Sequence, residues 1–329
     1  MGVLITGGAG FVGLNLCEAL LARGERVVAF DKGPVPQAAR DEFAALPGHL
    51  TVVEGDVCDP RNVRDVFGAT KVDRVIHGAA VTAGPEREFL TPTHTVETNV
   101  MGTMHVLEMA WRHGIGRIVH LSSGSVYGAR GESAERLAEE DPQPLPESLY
   151  AVSKYAAERI ARRYQNVKGQ DIVIARLGAV FGPWEYPTEA RETLSAPMLA
   201  SCVALLGRSL RLSADGLRDW VYSRDVARGV LALLDAEDPR HAVYNIGSGQ
   251  SWSMGQWCGL LAARLPGLDW AVAGPGEVPN VELYDATRRS PMEISRISAE
   301  LGHVPQFGLE AAFADYLDWL EAHPFVYGK

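Results

Sequence analysis

The sequence predicts an α/β fold: a doubly wound parallel sheet followed by a smaller C-terminal α/β lobe. Three observations predict it. Six short apolar runs alternate with helical patterns through residue 177, and such alternation builds a parallel sheet covered by helices on both faces. The first run enters a glycine-rich turn, Gly7-Gly-Ala-Gly10-Phe-Val-Gly13, that opens straight into a helical pattern. After the sixth run the regular alternation stops and shorter, looser patterns follow.

Composition narrows the function classes. The chain has 329 residues, 47% hydrophobic and 22% charged, as in ordinary globular proteins. Its net charge of −10 opposes binding to nucleic acid or to an anionic membrane, so neither is expected as a partner. Cys17, Cys58, Cys202 and Cys258 are scattered, with no paired spacing. Neither a disulfide framework nor a metal site is expected. No signal segment opens the chain and no apolar run is long enough to span a bilayer. A cytoplasmic location is the expectation.

Gly2–Thr6 reads as a buried strand and Leu14–Arg23 as the helix after the glycine turn. Gly7 allows the tight turn, Gly10 lets backbone amides approach a pyrophosphate, and Gly13 lets the helix pack closely on the strand. The helix start faces the phosphates with its positive end. Arg26–Phe30 is the second strand, and Asp31 at its end can accept both ribose hydroxyls of an adenosine. A carboxylate there repels a 2′-phosphate, so NAD is expected over NADP. Lys32 beside it is the one feature pulling the other way. Leu50–Glu54 is the third strand, and Asp56, next to Val57, either meets the adenine or caps the helix beginning near Pro60.

Asp73–His77 is the fourth strand; His77 reads as packed rather than catalytic. The small residues Gly78, Ala79 and Ala80 let the cofactor backbone pass. The helix from about Val96 to His113 carries Asn99 on an apolar face, where it needs partners, and a link from the helix to the active-site strand is expected. Gly116–Leu121 is the fifth strand. Ala129–Ser148, with Pro142, Pro144 and Pro146, reads as a surface loop. A helix from Leu149 to Gln165 follows, with Ala151, Tyr155, Ala156, Ile160 and Ala161 suited to helix packing, including across a homodimer. Asp171–Leu177 is the sixth strand. Helices are expected over Ser195–Leu206 and Leu309–Ala322, and a short strand over Val243–Ile246.

Ser123, Tyr150 and Lys154 carry the chemistry. Tyr150 and Lys154 are one helical turn apart and share a face. A cation beside a phenol favours the phenolate, and a phenolate near neutral pH can take a proton from an alcohol. Ser123 can hold the same alcohol in line.

Together, Thr6–Gly13, Gly55-Asp56-Val57, His77–Ala80, Asn99, the Ser123/Tyr150/Lys154 set and Arg218–Asp225 resemble the extended short-chain dehydrogenase/reductase family, in its NAD-dependent epimerase/dehydratase branch. The resemblance spans nearly the whole chain. It implies a Rossmann-type NAD domain over 1–177 plus about 218–247, and a substrate lobe over 178–217 and 248–329. Tyr150 would be general base or acid, with Lys154 binding the nicotinamide ribose and lowering the Tyr150 pKa. Ser123 would bond the reacting oxygen, and Ser125 would touch a sugar-type small-molecule substrate. The expected cofactor contacts are Gly7, Gly10, Phe11, Val12, Gly13, Asp31, Lys32, Asp56, Val57, Ala79, Ala80, Asn99, Tyr150 and Lys154. Arg218 falls where nucleotide-sugar relatives place a phosphate-binding arginine, and an interlobe salt bridge is the other reading.

Departures choose among reactions. Dehydratases of this branch carry an Asp-Glu pair where this chain has Gly124 and Ser125. Relatives that reduce and epimerise deoxyhexose intermediates use a Cys/His pair, for which no cysteine is placed. Ala179 and Leu194-Ser195 stand where nucleotide-sugar relatives have asparagines. Arg191 and Thr193 nearby could hold a carboxylate, or Arg191 could be solvated. The expected reaction is oxidation of a secondary alcohol of a sugar or sugar nucleotide, 4-epimerase-like. The alternatives are a sugar-acid or polyol dehydrogenase and, more remotely, a non-catalytic NAD-binding regulator.

Overall fold

The computed structural model describes residues 2–140, 144–188, 191, 193–283 and 289–328; Pro142 lies outside the described residues. Seven strands form one sheet: β1 (Gly2–Thr6), β2 (Arg26–Asp31), β3 (His49–Glu54), β4 (Arg74–His77), β5 (Arg117–Ser123), β6 (Ile172–Leu177) and β7 (Val243–Ile246). Their order is β3-β2-β1-β4-β5-β6-β7, with every neighbouring pair parallel. Val3, Leu4 and Ile5 of β1 are all fully buried, and every residue of β6 is buried. Continuous apolar runs of this kind are what a sheet covered on both faces requires.

The longer helices are α1 (Phe11–Ala22), α2 (Pro60–Ala69), α3 (Thr103–Arg112), α4 (Leu149–Lys168), α5 (Ala196–Leu205), α6 (Ser223–Asp235), α7 (Met254–Arg264) and α8 (Leu309–Ala322). α1 and α6 cover one face of the sheet, in a core that continues into the C-terminal residues. α2, α3 and α4 cover the other. Side-chain caps explain several starts: Asp59 accepts from Arg61 N at α2, Ser148 from Ala151 N at α4, and Ser195 from Met198 N at α5. α4 stops at Gly169, whose φ of 65° ends the helix without strain.

Three expectations need correction. The helix expected from Val96 begins at Pro92 and passes through a π-helical turn, Glu97–Gly102, before α3; this turn carries Asn99. The segment between Ala129 and Ser148 is not simply a surface loop. It holds a helical turn at Arg130–Ser133, and its Leu137 is buried, with backbone bonds to Pro291 and Glu293. On α4, Ala151 and Ala161 face the protein core, while Val152 and Val167 are the exposed apolar residues.

Outside the seven-stranded sheet, the remaining strands pair in short ladders. Ala179–Phe181 pairs in parallel with Trp220–Tyr222, Leu210–Leu212 in parallel with Trp270–Val272, and Leu217–Arg218 antiparallel with Trp252–Ser253. Phe181 is the hub of an aromatic cluster, with ring centroids 5.3 Å from Trp257, 5.4 Å from Tyr222, 5.6 Å from Trp252 and 6.0 Å from Tyr316. Aromatic pairs at such spacings add to what their burial alone contributes.

Candidate active site

The strand order reverses between β1 and β4, and a crevice opens at such a switch point. A cavity of about 360 Å³ lies there. Gly7 has φ of 74°, and a Cβ on it would meet Ala79 N at 2.8 Å. A Cβ on Gly13 would lie 2.0 Å from Gly7 O. Only glycine permits this turn. No side chain caps the start of α1 at Gly10, so its first amides remain available to an anion.

Asp31 sits at the end of β2. Its Oδ2 accepts from Ala9 N and its Oδ1 from Gly33 N, both at 3.1 Å. A carboxylate has about four acceptor positions, so these bonds still leave room for a ribose hydroxyl. Burial raises the Asp31 pKa, against the bonds from Gly33 and Ala9. Asp56 does not cap α2, since Asp59 does; it accepts from Cys58 N at 2.8 Å and lines the cavity. Gly10, Phe11, Val12, Lys32, Val57, Ala79 and Ala80 line it too. These features fit a dinucleotide: a glycine cradle, an uncapped helix start and a carboxylate at the ribose end.

His77 is packed, as expected. Thr103 Oγ1 donates to Asn99 O at 2.7 Å, so it accepts from His77 Nε2 at 2.9 Å. That leaves Nδ1 to accept from Thr6 Oγ1 at 2.7 Å. Asn99 is buried and does not line the cavity, which corrects its place among the cofactor contacts. Its side chain bonds Val81 N at 2.8 Å, Val81 O at 3.1 Å and Ser153 Oγ at 2.9 Å. It ties the segment after β4 to α4.

Ser123 ends β5, and Tyr150 and Lys154 project from the first turns of α4 into the same cavity. The Tyr150 hydroxyl is hydrogen-bonded to Ser123 and to Thr82. Burial raises its pKa, while the Ser123 bond, the charge of Arg191 and the Thr82 bond pull it down. Lys154 Nζ instead donates to Leu121 O at 2.6 Å. In this arrangement the cation that pulls the Tyr150 pKa down is Arg191, while the Lys154 ammonium is held by the Leu121 carbonyl. Burial lowers the Lys154 pKa from 10.5 to about 8, and Glu158 opposes the shift.

Ser125 does not line the cavity. A 3-10 turn over Gly124–Tyr127 carries it aside, with its amide donating to Ser123 Oγ at 3.1 Å. Arg191 does line the cavity, 5.0 Å over the Phe11 ring, and it is half-buried and already paired. Its Nη2 donates to the buried Glu185 at 2.6 Å and its Nε to Thr193 O at 3.0 Å. Glu185 also accepts from Ser195 N and Oγ. Arg218 is buried, lines the cavity and lies over the Trp220 ring at 5.6 Å. Thr82 and Glu185 escaped the sequence reading. Thr82 carried one usable signal, as the first hydroxyl after the small-residue turn.

A switch-point crevice with a glycine cradle and a Ser/Tyr/Lys wall defines the class: a nicotinamide-dinucleotide enzyme of the extended short-chain dehydrogenase/reductase type. Residues 3–247 match the NAD dependent epimerase/dehydratase family. The chain belongs to that family, and it is an NAD-dependent enzyme. It is 32% identical over 332 residues to dTDP-glucose 4,6-dehydratase of Streptomyces griseus, covering 98% of this chain and 94% of that one. It is 28% identical over 346 residues to UDP-glucuronate 4-epimerase 6 of Arabidopsis thaliana, covering 97% and 71%. The structure of Thermus thermophilus UDP-glucose 4-epimerase in complex with NAD superposes with a TM-score of 0.81 at 27% identity, covering 98% and 99%. Among the described residues, no helix is long and apolar enough to cross a membrane.

Proposed function

We propose that the chain oxidises a secondary alcohol of a sugar or sugar nucleotide and re-reduces the ketone from the opposite face, as a 4-epimerase does. The observation that carries this is the bonding of the Tyr150 hydroxyl to Ser123 and Thr82 in the cavity that also receives Lys154. Tyr150 as phenolate takes the hydroxyl proton of the substrate. Ser123 bonds the substrate oxygen as the carbonyl forms. Lys154 holds the nicotinamide ribose. NAD, when bound, accepts the hydride and can return it. Water elimination is disfavoured although dehydratases are among the similar proteins, because Gly124 and Ser125 offer no carboxylate after Ser123.

A second reading has its own observation. Ala179, Leu194 and Ser195 replace polar contacts to a nucleotide diphosphate, and the Ser195 hydroxyl and amide are both taken by Glu185. That favours a dehydrogenase of a free sugar acid or polyol.

The test is incubation with NAD and either UDP-glucose and UDP-glucuronate or aldonates and polyols. The 4-epimer without net NADH supports the first reading. NADH accumulating only with free acids or polyols supports the second. No turnover with either set rejects both. Tyr150→Phe should lower turnover by about 100-fold or more while NADH still binds; full activity in that variant would reject the role of Tyr150.

The cofactor domain is read as 1–177 with about 218–247, because β7 completes the sheet beside β6. The substrate lobe is read as 178–217 and 248–329, gathered around Phe181 and its aromatic neighbours. A homodimer is proposed from the exposed apolar residues Trp111 on α3 and Val152 and Val167 on α4, which water solvates poorly. Location in the cytoplasm is part of the same reading.

A further inference from the structure

Behind the cavity, on the α4 side of the sheet, lies a buried charge set that the proposed chemistry does not use. Glu158 is one helical turn beyond Lys154, as Lys154 is one turn beyond Tyr150. Its carboxylate accepts three hydrogen bonds. Ser122 Oγ donates to Oε1 at 2.6 Å, Arg176 Nε to Oε1 at 2.9 Å and Arg176 Nη2 to Oε2 at 2.8 Å. Ser122 on β5 and Arg176 on β6 are register partners. Glu158 is 2% exposed and Arg176 4%. Arg176 in turn lies 4.9 Å over the Tyr127 ring, and Tyr127 Oη donates to Asn245 Oδ1 at 2.7 Å.

A buried carboxylate left alone would take up a proton. Here a guanidinium fork and a hydroxyl meet it. Replacing a buried ion pair with apolar residues is often neutral or stabilising, so a pair this deep is poorly explained by stability alone. Lys154 is the group in need of an anion. It is 4% exposed, and the one hydrogen bond to its ammonium among the described residues is from Nζ to the neutral Leu121 carbonyl. The titratable groups around it are Tyr150 and Glu158 on its own helix, His77 on β4 and His120 on β5, with Arg176 on the far side of the Glu158 carboxylate. Burial keeps both histidines neutral. Glu158 is thus the anion in this group.

We propose that Glu158 is a positioning residue: clamped by Arg176 and Ser122, it holds the Lys154 ammonium charged beside the cavity. This rests on the reading of Lys154 as a cofactor contact. The field of a carboxylate one turn away favours the ammonium, and the Leu121 carbonyl fixes its reach.

The test is NADH binding followed by fluorescence across a pH series. In the natural protein, affinity should hold up to about pH 8 and fall above it as Lys154 loses its proton. In Glu158→Gln the fall should begin about one pH unit lower, and Glu158→Asp, which keeps the charge, should restore the natural midpoint. A second readout needs no cofactor. The stability difference between each chain and its Lys154→Met counterpart, measured against pH, reports the Lys154 midpoint directly. Should Glu158→Gln fail to fold with Arg176 unpaired, Glu158→Gln combined with Arg176→Gln removes both charges and should also lower the midpoint. An unchanged midpoint in the stability series overturns the proposal. A lowered midpoint there, with NADH binding indifferent to pH, supports it and rejects Lys154 as a cofactor contact.

Discussion

Replacing Lys154 with methionine should make the cofactor-free protein more stable at neutral pH. Burial lowers the Lys154 pKa from 10.5 to about 8. At 1.36 kcal/mol per pH unit, that corresponds to about 3 kcal/mol by which the charged lysine destabilises the native state. Methionine removes this term but also the bond from Nζ to Leu121 O, a loss of about 1.5 kcal/mol. A net gain of about 1.5 kcal/mol at pH 7 is expected. The sign of the pH dependence follows from linkage. The folded pKa lies below the unfolded one, so between about pH 8 and 10.5 the unfolded chain binds more protons. The penalty is complete below pH 8 and fades as pH rises through that window. The natural protein should therefore gain on the variant by about 2 kcal/mol between pH 7 and about pH 9.5. Urea unfolding followed by circular dichroism, run on both chains at several pH values, measures this. A difference that stays flat from pH 7 to about pH 9.5 would refute the reasoning, as would a variant that is less stable throughout.

Two other outcomes are expected. Asp31→Ala should weaken NADH by about 2 kcal/mol, or roughly 30-fold, through loss of charge-assisted bonds to the ribose, and should narrow the preference over NADPH; an unchanged preference in fluorescence titrations would remove Asp31 from the ribose site. Light scattering should give twice the 35.6 kDa chain mass, and Val152→Glu should return the chain to a monomer; a monomeric natural protein would reject the homodimer.

The parts legible in the sequence are those set by local rules. β1 reads as a strand because its whole length must be apolar, and the glycine turn is legible because Gly7 and Gly13 answer a backbone constraint within a few residues. The starts of α5 and α8 lie within one residue of expectation. What stayed hidden depends on distant partners. Asn99 meets Ser153 across 54 positions, and Glu158 meets Arg176 on another strand. The ion pair of Arg191 is hidden as well, because its partner Glu185 follows Trp184, whose φ of 67° is a backbone state that no local rule assigns to tryptophan. Likewise, the 3-10 turn Gly124–Tyr127 carries Ser125 away from the cavity lining.

The route of the chain around the aromatic cluster bears on how the crevice can open. Phe181 follows β6 directly, Trp220 and Tyr222 lead into α6, and Trp252 and Trp257 follow β7. Three separate crossings, each anchored by large rings, thus join the sheet to the C-terminal residues. A hinge motion that parted the sheet from these residues would have to carry rings of all three crossings together. With three crossings pinned to a common hub, entry of a ligand calls for small adjustments at the crevice rim in place of a wide swing. Neither half is then an obvious unit for exchange with another protein, since cutting the chain anywhere between Phe181 and Trp257 leaves part of the hub on each side.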